Sequence, residues 1–460
     1  MQPVVLLNVV GLTARHIGEH TPHLRALAGR GHLTPMGGVL PAVTLPAQAS
    51  LLTGVLPDRH GIVGNGWFHR DTGEVRFWLQ SNRLMQCEPL YQQARRLAGE
   101  RRQPFTCAQL FWWFNQGALV DYSLTPKPYY GADGSKVFAI DGSPDPLAPA
   151  LEKSLGPFPF HNFWGPLAGW PSSEWIGRAA AEVIGQQHLT LTLVYLPHLD
   201  YDLQRFGPQH AGLAANLRDA DRAAGWVLDA AQAAGAAVVV VSEYGLVPVR
   251  RPVYLNRTLR QAAWLTVRDG PFGETLEAFR SRALAVADHQ VAHIYVRDPV
   301  DVPAVRRLLE KVDGVADLLE GSARSAAGLS HERAGDLVAL AAEDAWFAYP
   351  YWLDDRRAPD FARTVDIHRK PGYDPCELFF DPQMAVPKLR AGLKLLRKAA
   401  GMRYLMDLIP LDATLVKGSH GLSPKDPLDG PVLITDGPPP DRPFHMTQVK
   451  DYVLRLLDGH

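Results

Sequence analysis

The sequence predicts an α/β fold in which a mostly parallel central sheet is covered by helices on both faces. Three continuous apolar runs carry this prediction: VVLLNVV (4–10), LTLTLVYL (189–196) and AAVVVV (236–241). Helix-like segments follow the first run at 23–31 and precede the third at 212–235, and a polar loop is expected between the second run and residue 212. Apolar strands that alternate with helices are typical of parallel sheets buried on both faces. Since ligands bind beyond the carboxyl ends of such strands, we expect Asn8, Asp200 and Glu243 to lie near a site.

The 460 residues are interpreted as one catalytic domain, 1–460, with two distinct segments inside it. Residues 111–175 are rich in aromatic residues, Pro and Gly, and are predicted to form an irregular insertion. Residues 270–345 carry the strand patterns VAHIYVRD (291–298) and GDLVALAA (335–342) around a helix pattern, PAVRRLLEKVDG (303–314). This second segment is predicted to be a smaller α+β subregion of the same domain.

The composition limits the classes of partner and the compartment. A formal net charge of -1 and a pI near 7.0 speak against a nucleic acid duplex or an anionic membrane as the main partner. A small-molecule substrate is therefore expected, while the oligomeric state is left open. The three cysteines show no CxxC spacing, which is typical of a reducing compartment. Because the N-terminal apolar run is too short to span a bilayer, we expect a cytoplasmic protein without a transmembrane segment.

Residues 32–68 contain AVTLPAQASLLTG (42–54) followed by HGIVGN (60–65). This order resembles the nucleotide pyrophosphatase/phosphodiesterase branch of the alkaline phosphatase superfamily. The resemblance implies the alkaline phosphatase-like fold. It also implies that Thr44 is the nucleophile, and that Asn65 hydrogen-bonds a non-bridging phosphoryl oxygen. A threonine hydroxyl needs a base or a cation to become nucleophilic, and two metal ions about 4 Å apart supply such activation in many phosphoryl-transfer sites.

The same resemblance points to seven protein positions that hold two metal ions in the family. Three of them are kept in this sequence, as Thr44, Asp200 and His420. Glu243 replaces an aspartate, and three positions lose their metal ligand: Val10, Gln204 and Tyr244. Zinc is rarely bound by glutamine or tyrosine, so the usual two-zinc centre is not expected. Asn8, Gln204 and Tyr244 are instead predicted to line the substrate site.

Three hypotheses follow for the altered site. In the first, one divalent metal ion is held by Asp200, Asp202, Glu243 and His420, together with Asp366 and His368 on an extended segment. The gain of oxygen donors favours Mg²⁺ or Mn²⁺ over Zn²⁺ in that case. In the second, no metal is bound, His368, Arg369 and Lys370 clamp the phosphoryl group, and Glu243 or His420 is the base. In the third, the protein binds a phosphorylated metabolite without cleaving it.

The function predicted first is a phosphoric ester hydrolase that cleaves a phosphodiester or pyrophosphate bond through a phosphorylated Thr44. A phosphoryl transferase and a non-catalytic binding protein are the alternatives. One further stretch, VADHQVAHIYV (286–296), places His289 where it would line the site, whereas His293 is expected to be a buried, hydrogen-bonded histidine.

Overall fold

A computed structural model of the protein describes residues 1–132, 136–399, 401–402 and 404–459. Residues 133–135 of the predicted insertion lie outside the described residues. The strands are β1 (Val4–Val9), β2 (His32–Gly37), β3 (Gly66–His69), β4 (Glu74–Phe77), β5 (Cys107–Leu110), β6 (Tyr122–Pro126), β7 (Tyr129–Tyr130), β8 (Lys136–Val137), β9 (Ile140–Ser143), β10 (Leu191–Leu196), β11 (Ala237–Val241), β12 (Val247–Pro248), β13 (Arg251–Val253), β14 (Val267–Gly270), β15 (Gly273–Leu276), β16 (Ala283–Asp288), β17 (Val291–Val296), β18 (Val315–Leu319), β19 (Leu337–Ala341), β20 (Ala345–Phe347), β21 (Gly418–Ser419), β22 (Val432–Thr435) and β23 (Phe444–His445).

The helices of the described residues are α1 (Pro22–Arg30), α2 (Thr44–Thr53), α3 (Pro57–His60), α4 (Leu90–Glu100), α5 (Leu147–Leu155), α6 (Trp170–Gln186), α7 (His198–Phe206), α8 (Leu213–Ala233), α9 (Leu255–Gln261), α10 (Val302–Leu309), α11 (Gly321–Ala326), α12 (Pro387–Ala399) and α13 (Val449–Leu457). Helices α1, α6 and α8 pack together and cover β1 and β10, while α2, α4 and α13 pack together, with α13 against β1.

The main sheet has nine strands in the order β23-β2-β22-β11-β1-β10-β5-β6-β9. Its five central strands, β11, β1, β10, β5 and β6, run parallel. Strands β22 and β9 pair antiparallel with this group. The mostly parallel α/β sheet predicted from the apolar runs is thus confirmed, and those runs form β1, β10 and β11.

The register of the three central strands brings their carboxyl ends to one edge. Asn8 of β1 lies opposite Tyr195 of β10 and Val241 of β11. Glu243 follows β11 by two residues, and the chain after β10 turns at once into α7, which carries Asp200. The sequence indicates a polar loop after β10, and the nine-residue helix α7 is a correction to that expectation.

The insertion at 111–175 is less irregular than its composition predicts. Strands β6 and β9 extend the main sheet, and α5 and the start of α6 lie in the same segment. Residues 283–341 contain a second sheet, antiparallel, in the order β16-β17-β19-β18, together with α10 and α11. The turn between β16 and β17 carries His289, which approaches the main site from this second sheet.

In the part of the chain that the structure describes, no helix is long and apolar enough to cross a membrane. The three cysteines, Cys87, Cys107 and Cys376, are free.

Candidate active site

Thr44 is the first residue of helix α2, whose ten residues are all buried. The helix ends at Gly54, where a φ of 74° places the chain in the left-handed region that glycine adopts without strain. The amide of Leu45, in the first turn, donates to the side-chain oxygen of Asn65 at 3.0 Å. A helix N-terminus carries partial positive charge and favours anions, so the Thr44 hydroxyl lies where a phosphoryl group would be stabilised.

The Thr44 hydroxyl has two polar neighbours from the segment that follows β11. Its Oγ1 lies 3.2 Å from the hydroxyl of Tyr244. It is also close enough to the Glu243 carboxyl to lower the pKa of that group. The resemblance implies an aspartate and a histidine at these two positions, and here a carboxyl and a phenol lie beside the candidate nucleophile.

The Glu243 carboxyl is held by two amide side chains. Its Oε1 accepts hydrogen bonds from Asn8 Nδ2 at 2.6 Å and from Gln48 Nε2 at 2.7 Å. Gln48 in turn accepts from the backbone amide of Trp113 at 2.9 Å, which ties the insertion to this cluster. The second oxygen, Oε2, is buried without a hydrogen-bond partner. Glu243 therefore has one oxygen fixed and one oxygen free to accept a proton.

Asn65 is oriented by a carboxylate from the second sheet. Asp288, at the end of β16, accepts from the Asn65 backbone amide at 2.7 Å and from Asn65 Nδ2 at 3.1 Å. Asn65 and Asp288 are each 1% exposed. These bonds and the one to Leu45 leave the second hydrogen of the Asn65 amide group able to contact a ligand.

Asp200 and Gln204 face each other one turn apart on α7. Gln204 Nε2 donates to Asp200 Oδ2, and the Gln204 carbonyl oxygen accepts from the hydroxyl of Tyr373 at 2.8 Å. Asp200 Oδ1 has no hydrogen-bond partner and lies 3.9 Å from His420 Nε2, which is also unpartnered. Gln204 thus uses both its amide nitrogen and its carbonyl oxygen in hydrogen bonds within the protein.

Four aromatic rings form a continuous stack across the site. The Tyr244 and His420 rings lie 3.6 Å apart and nearly parallel, at 8°. His420 lies 3.6 Å from His289, and His289 lies 4.0 Å from Tyr373. Since His420 Nδ1 donates to the Ala42 carbonyl at 2.8 Å, its Nε2 carries the lone pair. The prediction that His289 lines the site is confirmed, and His293 is buried and hydrogen-bonded to the Val63 carbonyl.

Burial dominates the electrostatics of this cluster. Desolvation raises the pKa of Asp200 to about 7, that of Glu243 to about 8 and that of Asp288 to about 7. The same effect lowers the pKa of His420 to about 3, so the imidazole is neutral. Among the described residues, no lysine or arginine forms an ion pair with any of the three carboxyl groups. The site therefore holds three buried carboxyl groups without a protein cation.

The side chains present do not fit the two-metal centre that the resemblance implies. Val10 is 1% exposed and belongs to the main apolar core, so it supplies no donor atom. The Tyr244 hydroxyl is hydrogen-bonded to Thr44, and the Gln204 amide group is hydrogen-bonded to Asp200 and Tyr373. Within the described ranges, no three His, Cys, Asp or Glu side chains come together in a geometry that could hold a metal ion. Asp200 and His420 keep unpartnered donor atoms, but a pair of ligands is fewer than divalent sites ordinarily use.

Asp202 does not join this cluster. It lies two positions from Asp200 on α7, and residues two apart on an α-helix point to nearly opposite sides. Its carboxylate pairs with Arg205 at 2.8 Å and accepts from Asn216 at 2.8 Å. The prediction of Asp202 as a metal ligand is thereby corrected, because the side chain anchors α7 to its own surroundings.

The segment that carries Asp366 and His368 is a turn, not the extended chain on which their alignment depended. Asp366 pairs with Arg369 at 3.2 Å, and His368 Nδ1 lies 3.3 Å from the Phe77 carbonyl. His368 and Arg369 line a cavity of 460 Å³ beside β4 and β15. Asp366 and His368 therefore do not contribute to the one-metal site that was predicted from six side chains.

Lys370 has a different environment from the phosphate clamp that was predicted. Its ammonium group is 1% exposed and lies 2.7 Å from both Asp374 and Glu377. Glu377 also accepts hydrogen bonds from the Asp366 amide and the Trp164 indole. The Lys370 ammonium group is thus paired within a buried ionic cluster that holds the loop before Tyr373. It is not free to bind a phosphoryl oxygen.

Three site residues were missed at the level of sequence: Gln48, Asp288 and Tyr373. Gln48 follows Thr44 by one helical turn, and a polar residue in a wholly buried helix was the available signal. Asp288 lies 223 residues from Asn65, and nothing local to its strand distinguishes it from other strand-end carboxylates.

The comparisons with known proteins agree on the fold. Murine ectonucleotide pyrophosphatase/phosphodiesterase 5 has a similar structure, with a TM-score of 0.58 and 14% sequence identity. The match covers 99% of this chain and 95% of the murine chain. Phosphonoacetate hydrolase from Sinorhizobium meliloti 1021 is 16% identical over 99% and 96% of the two chains, with a TM-score of 0.60. Human ectonucleotide pyrophosphatase/phosphodiesterase 5 is 14% identical over 99% and 95%, with a TM-score of 0.57. No curated protein sequence matches the chain.

These structural neighbours share the alkaline phosphatase-like α/β fold that the sequence predicts. The family model for type I phosphodiesterases and nucleotide pyrophosphatases matches residues 4–374, about four-fifths of the chain. The matched range includes Thr44, Asn65, Asp200 and Glu243, and ends before His420. The chain belongs to the type I phosphodiesterase/nucleotide pyrophosphatase family, whose chemistry is phosphoester hydrolysis.

Proposed function

We propose that the protein hydrolyses a phosphodiester or pyrophosphate bond through covalent attack by Thr44. The observation that carries this proposal is the position of the Thr44 hydroxyl, at the N-terminus of a buried helix and beside Glu243 and Tyr244. One structural neighbour supports it: murine ectonucleotide pyrophosphatase/phosphodiesterase 5 was solved with AMP as an inactive threonine-to-alanine variant. The family membership supports the reaction class.

The first step is assigned to three side chains. Tyr244 has a pKa well above its usual range and stays protonated, so it can donate to Thr44 Oγ1. In that arrangement the Thr44 proton points away from Tyr244, and Glu243 Oε2 is the unpartnered acceptor nearby. Glu243 is ionised in a fraction of molecules that grows as the pH rises towards its pKa of about 8, and in that form it takes the proton of Thr44 as Thr44 Oγ1 forms a bond to phosphorus. The P–O bond to the leaving group breaks, and the leaving oxygen takes a proton from solvent.

Asn65 and the α2 N-terminus would stabilise the charge on the non-bridging oxygens. The Asn65 amide group is fixed by Asp288 and Leu45, so it is oriented before the substrate binds. Such preorganised donors are typically worth about 10²–10³ in kcat. In the second step, water attacks the phosphorus and releases one proton to solvent, Thr44 Oγ1 leaves, and the proton on Glu243 returns to Thr44.

The charges at the site favour a diester over a monoester. Three buried carboxyl groups lie in the cluster without a protein cation, as described above. A monoester dianion would be repelled more strongly than the single charge of a diester. The natural substrate is accordingly proposed to be a small phosphodiester or a pyrophosphate whose scissile phosphorus carries one charge.

The test measures release of p-nitrophenol from bis(p-nitrophenyl) phosphate by wild type, Thr44→Ala, Thr44→Ser and Thr53→Ala. Thr53 is the matched control, since it is equally buried on α2 but bonds to the Ala49 carbonyl. We expect activity in wild type and Thr53→Ala, partial activity in Thr44→Ser and none in Thr44→Ala. Mass spectrometry of acid-quenched protein should find the phosphoryl ester on Thr44. Activity that survives in Thr44→Ala would refute the proposal.

A non-catalytic binding protein is the second candidate, and the loss of ligand donors at Val10, Gln204 and Tyr244 favours it. In that case AMP or another phosphoester would raise the melting temperature of both wild type and Thr44→Ala, by mass action on the folded state. Neither protein would release p-nitrophenol. The two candidates therefore give opposite results in the same pair of proteins.

A further inference from the structure

We propose that helix α12 docks the protein on an anionic lipid surface, with a stripe of leucine side chains inserted between the headgroups. The helix spans Pro387–Ala399 and has the sequence PKLRAGLKLLRKA. The proposal is independent of the hydrolase activity, because none of its residues belongs to the Thr44 cluster.

The leucine stripe consists of Leu389, Leu393 and Leu396. These positions are spaced i, i+4 and i+7, so the three side chains lie on one face of the helix. They are 61%, 54% and 66% exposed, respectively. Surface leucines that occur singly are common, but three in a row along one helix form an apolar face without a partner.

Further apolar residues extend this surface beyond the stripe. Each is at least two-fifths exposed, and they are Val386 (61%), Leu395 (53%), Met402 (54%) and Leu405 (42%). They flank the helix at its start, along it and in the chain that follows. Val386, Met402 and Leu405 are thus exposed apolar residues close to the stripe in sequence, while Leu395 lies on another side of the helix.

Basic residues run beside the stripe. Each leucine of the stripe is followed directly by a basic residue: Arg390, Lys394 and Arg397. These residues have the same i, i+4, i+7 spacing, and the helix contains no acidic residue. Lys394 pairs with Asp407, which ties the helix to the segment after it. Arg390 and Arg397 are exposed, and neither forms an ion pair within the described part of the chain. Two free cations therefore border the apolar face.

This combination selects a lipid surface over other occupants. Helices that lie in the membrane interface combine an apolar face with lysine and arginine and need anionic lipid for full affinity. A second copy of the same helix would bring the unpaired arginines together in a symmetric contact, where like charges repel. The whole-chain charge of -1 speaks against an anionic membrane, but it averages over a helix that is locally and uniformly basic.

The experiment is co-sedimentation of the full chain with vesicles of phosphatidylcholine, alone or mixed with phosphatidylglycerol. The variants are Leu393→Glu/Leu396→Glu, Arg390→Glu/Arg397→Glu and the control Leu119→Glu. Leu119 is 61% exposed, the same as Leu389, but lies in the insertion. All the changed side chains are exposed, so circular dichroism should find every variant folded.

We expect wild type and Leu119→Glu to bind the anionic vesicles, with much weaker binding to phosphatidylcholine alone. The double leucine variant should lose affinity by on the order of a hundredfold, from the apolar area withdrawn from lipid. The double arginine variant should lose at least about tenfold and lose its salt dependence.

Two results would overturn the proposal. One is an absence of vesicle binding by wild type, or equal loss in Leu119→Glu and the leucine variant. The other is a dimer of wild type in light scattering that Leu393→Glu/Leu396→Glu converts to a monomer, because a second copy of the chain would then cover the stripe.

Discussion

Replacing Asp288 by asparagine separates the orientation of Asn65 from the stability of the fold. Asp288 accepts two hydrogen bonds from Asn65, one from its backbone amide and one from its side chain. Asparagine has nearly the same shape and keeps one oxygen acceptor, but it puts a donor where the second acceptor was. We expect Asp288→Asn to reduce activity while making the protein more stable at neutral pH.

The sign of the stability change follows from two opposing effects. Burial raises the pKa of Asp288 from 3.8 to about 7. Keeping that carboxylate charged in the fold therefore costs about 4 kcal/mol above pH 7, at 1.36 kcal/mol per pKa unit. The lost hydrogen bond and the two facing donors cost about 1–3 kcal/mol in the variant. Relief of the buried charge is the larger effect, and it leaves the variant more stable by about 1–3 kcal/mol at pH 8.

The pH dependence gives a second check on the same reasoning. Because the folded state of wild type binds a proton between pH 3.8 and about 7 that the unfolded state has released, its stability falls as pH rises through this window. The asparagine variant lacks this group. The variant's advantage should thus grow by about 1.4 kcal/mol per pH unit between pH 4 and 7, and stay level above pH 7.

Urea unfolding at pH 4.5, 6 and 8 measures the stability change, and p-nitrophenol release measures the activity. We expect kcat to fall by at least about tenfold with a smaller change in KM, since Asn65 acts on charge that develops in the transition state. Asp221→Asn is the matched control, because Asp221 is buried and accepts from the amides of His23 and Leu24 on α1. It should leave activity unchanged. Full activity in Asp288→Asn, or a stability loss at pH 8, would refute the reasoning.

Three other changes test separate features of the molecule. His60→Gln should reduce the acid sensitivity of folding: desolvation lowers the pKa of His60 to about 3, so its contribution to stability is full above pH 6.5 and falls by about 1.4 kcal/mol per pH unit below it. Urea unfolding of both proteins between pH 4 and 7 checks this, and parallel curves would contradict it. Lys370→Met should cost about 3–5 kcal/mol of unfolding free energy, because Asp374 and Glu377 lose their buried cation. Lys425→Met, an exposed pair with Glu343, should cost at most about 1 kcal/mol under the same denaturant titration. Changing Val10→Asp, Gln204→His, Glu243→Asp and Tyr244→His together should restore binding of about two Zn²⁺ per chain in elemental analysis after dialysis. Equal zinc content in wild type would show that the altered side chains still hold the metal.

The fold was predictable because its determinants are local in sequence. The apolar runs that become β1, β10 and β11 are buried on both faces, and continuous burial gives them continuous apolar sequence. Since parallel strands end at the same edge, Asn8, Asp200 and Glu243 could be placed near one another without any coordinates. The helix α7 escaped prediction because its polar residues face other parts of the protein, where Asp202 and Arg205 form a pair of their own.

The details of the site were less predictable because they depend on contacts between distant segments. Lys370 looks like a phosphate ligand in sequence, yet its charge is neutralised by Asp374 and Glu377 in the folded chain. His368 was aligned with Asp366 on the assumption of an extended segment, and a turn separates the two side chains. Neither the ion pairing nor the turn leaves a periodic signal that a single sequence displays.

Two of the three positions at which the resemblance implies a lost metal ligand, Gln204 and Tyr244, are connected through contacts in the structure. Tyr244 stands where the resemblance implies a histidine, and its hydroxyl contacts Thr44 while its ring stacks on His420. Gln204 replaces another, and its amide group joins Asp200 to Tyr373. Tyr373 then completes the stack through His289. Each substitution thus supplies polar or aromatic contacts to the donors that remain, and a buried polar network is stable only when most of its members are satisfied. Replacing Tyr244 or Gln204 alone by histidine should therefore lower stability without restoring a metal centre, which urea unfolding and elemental analysis of each variant would measure.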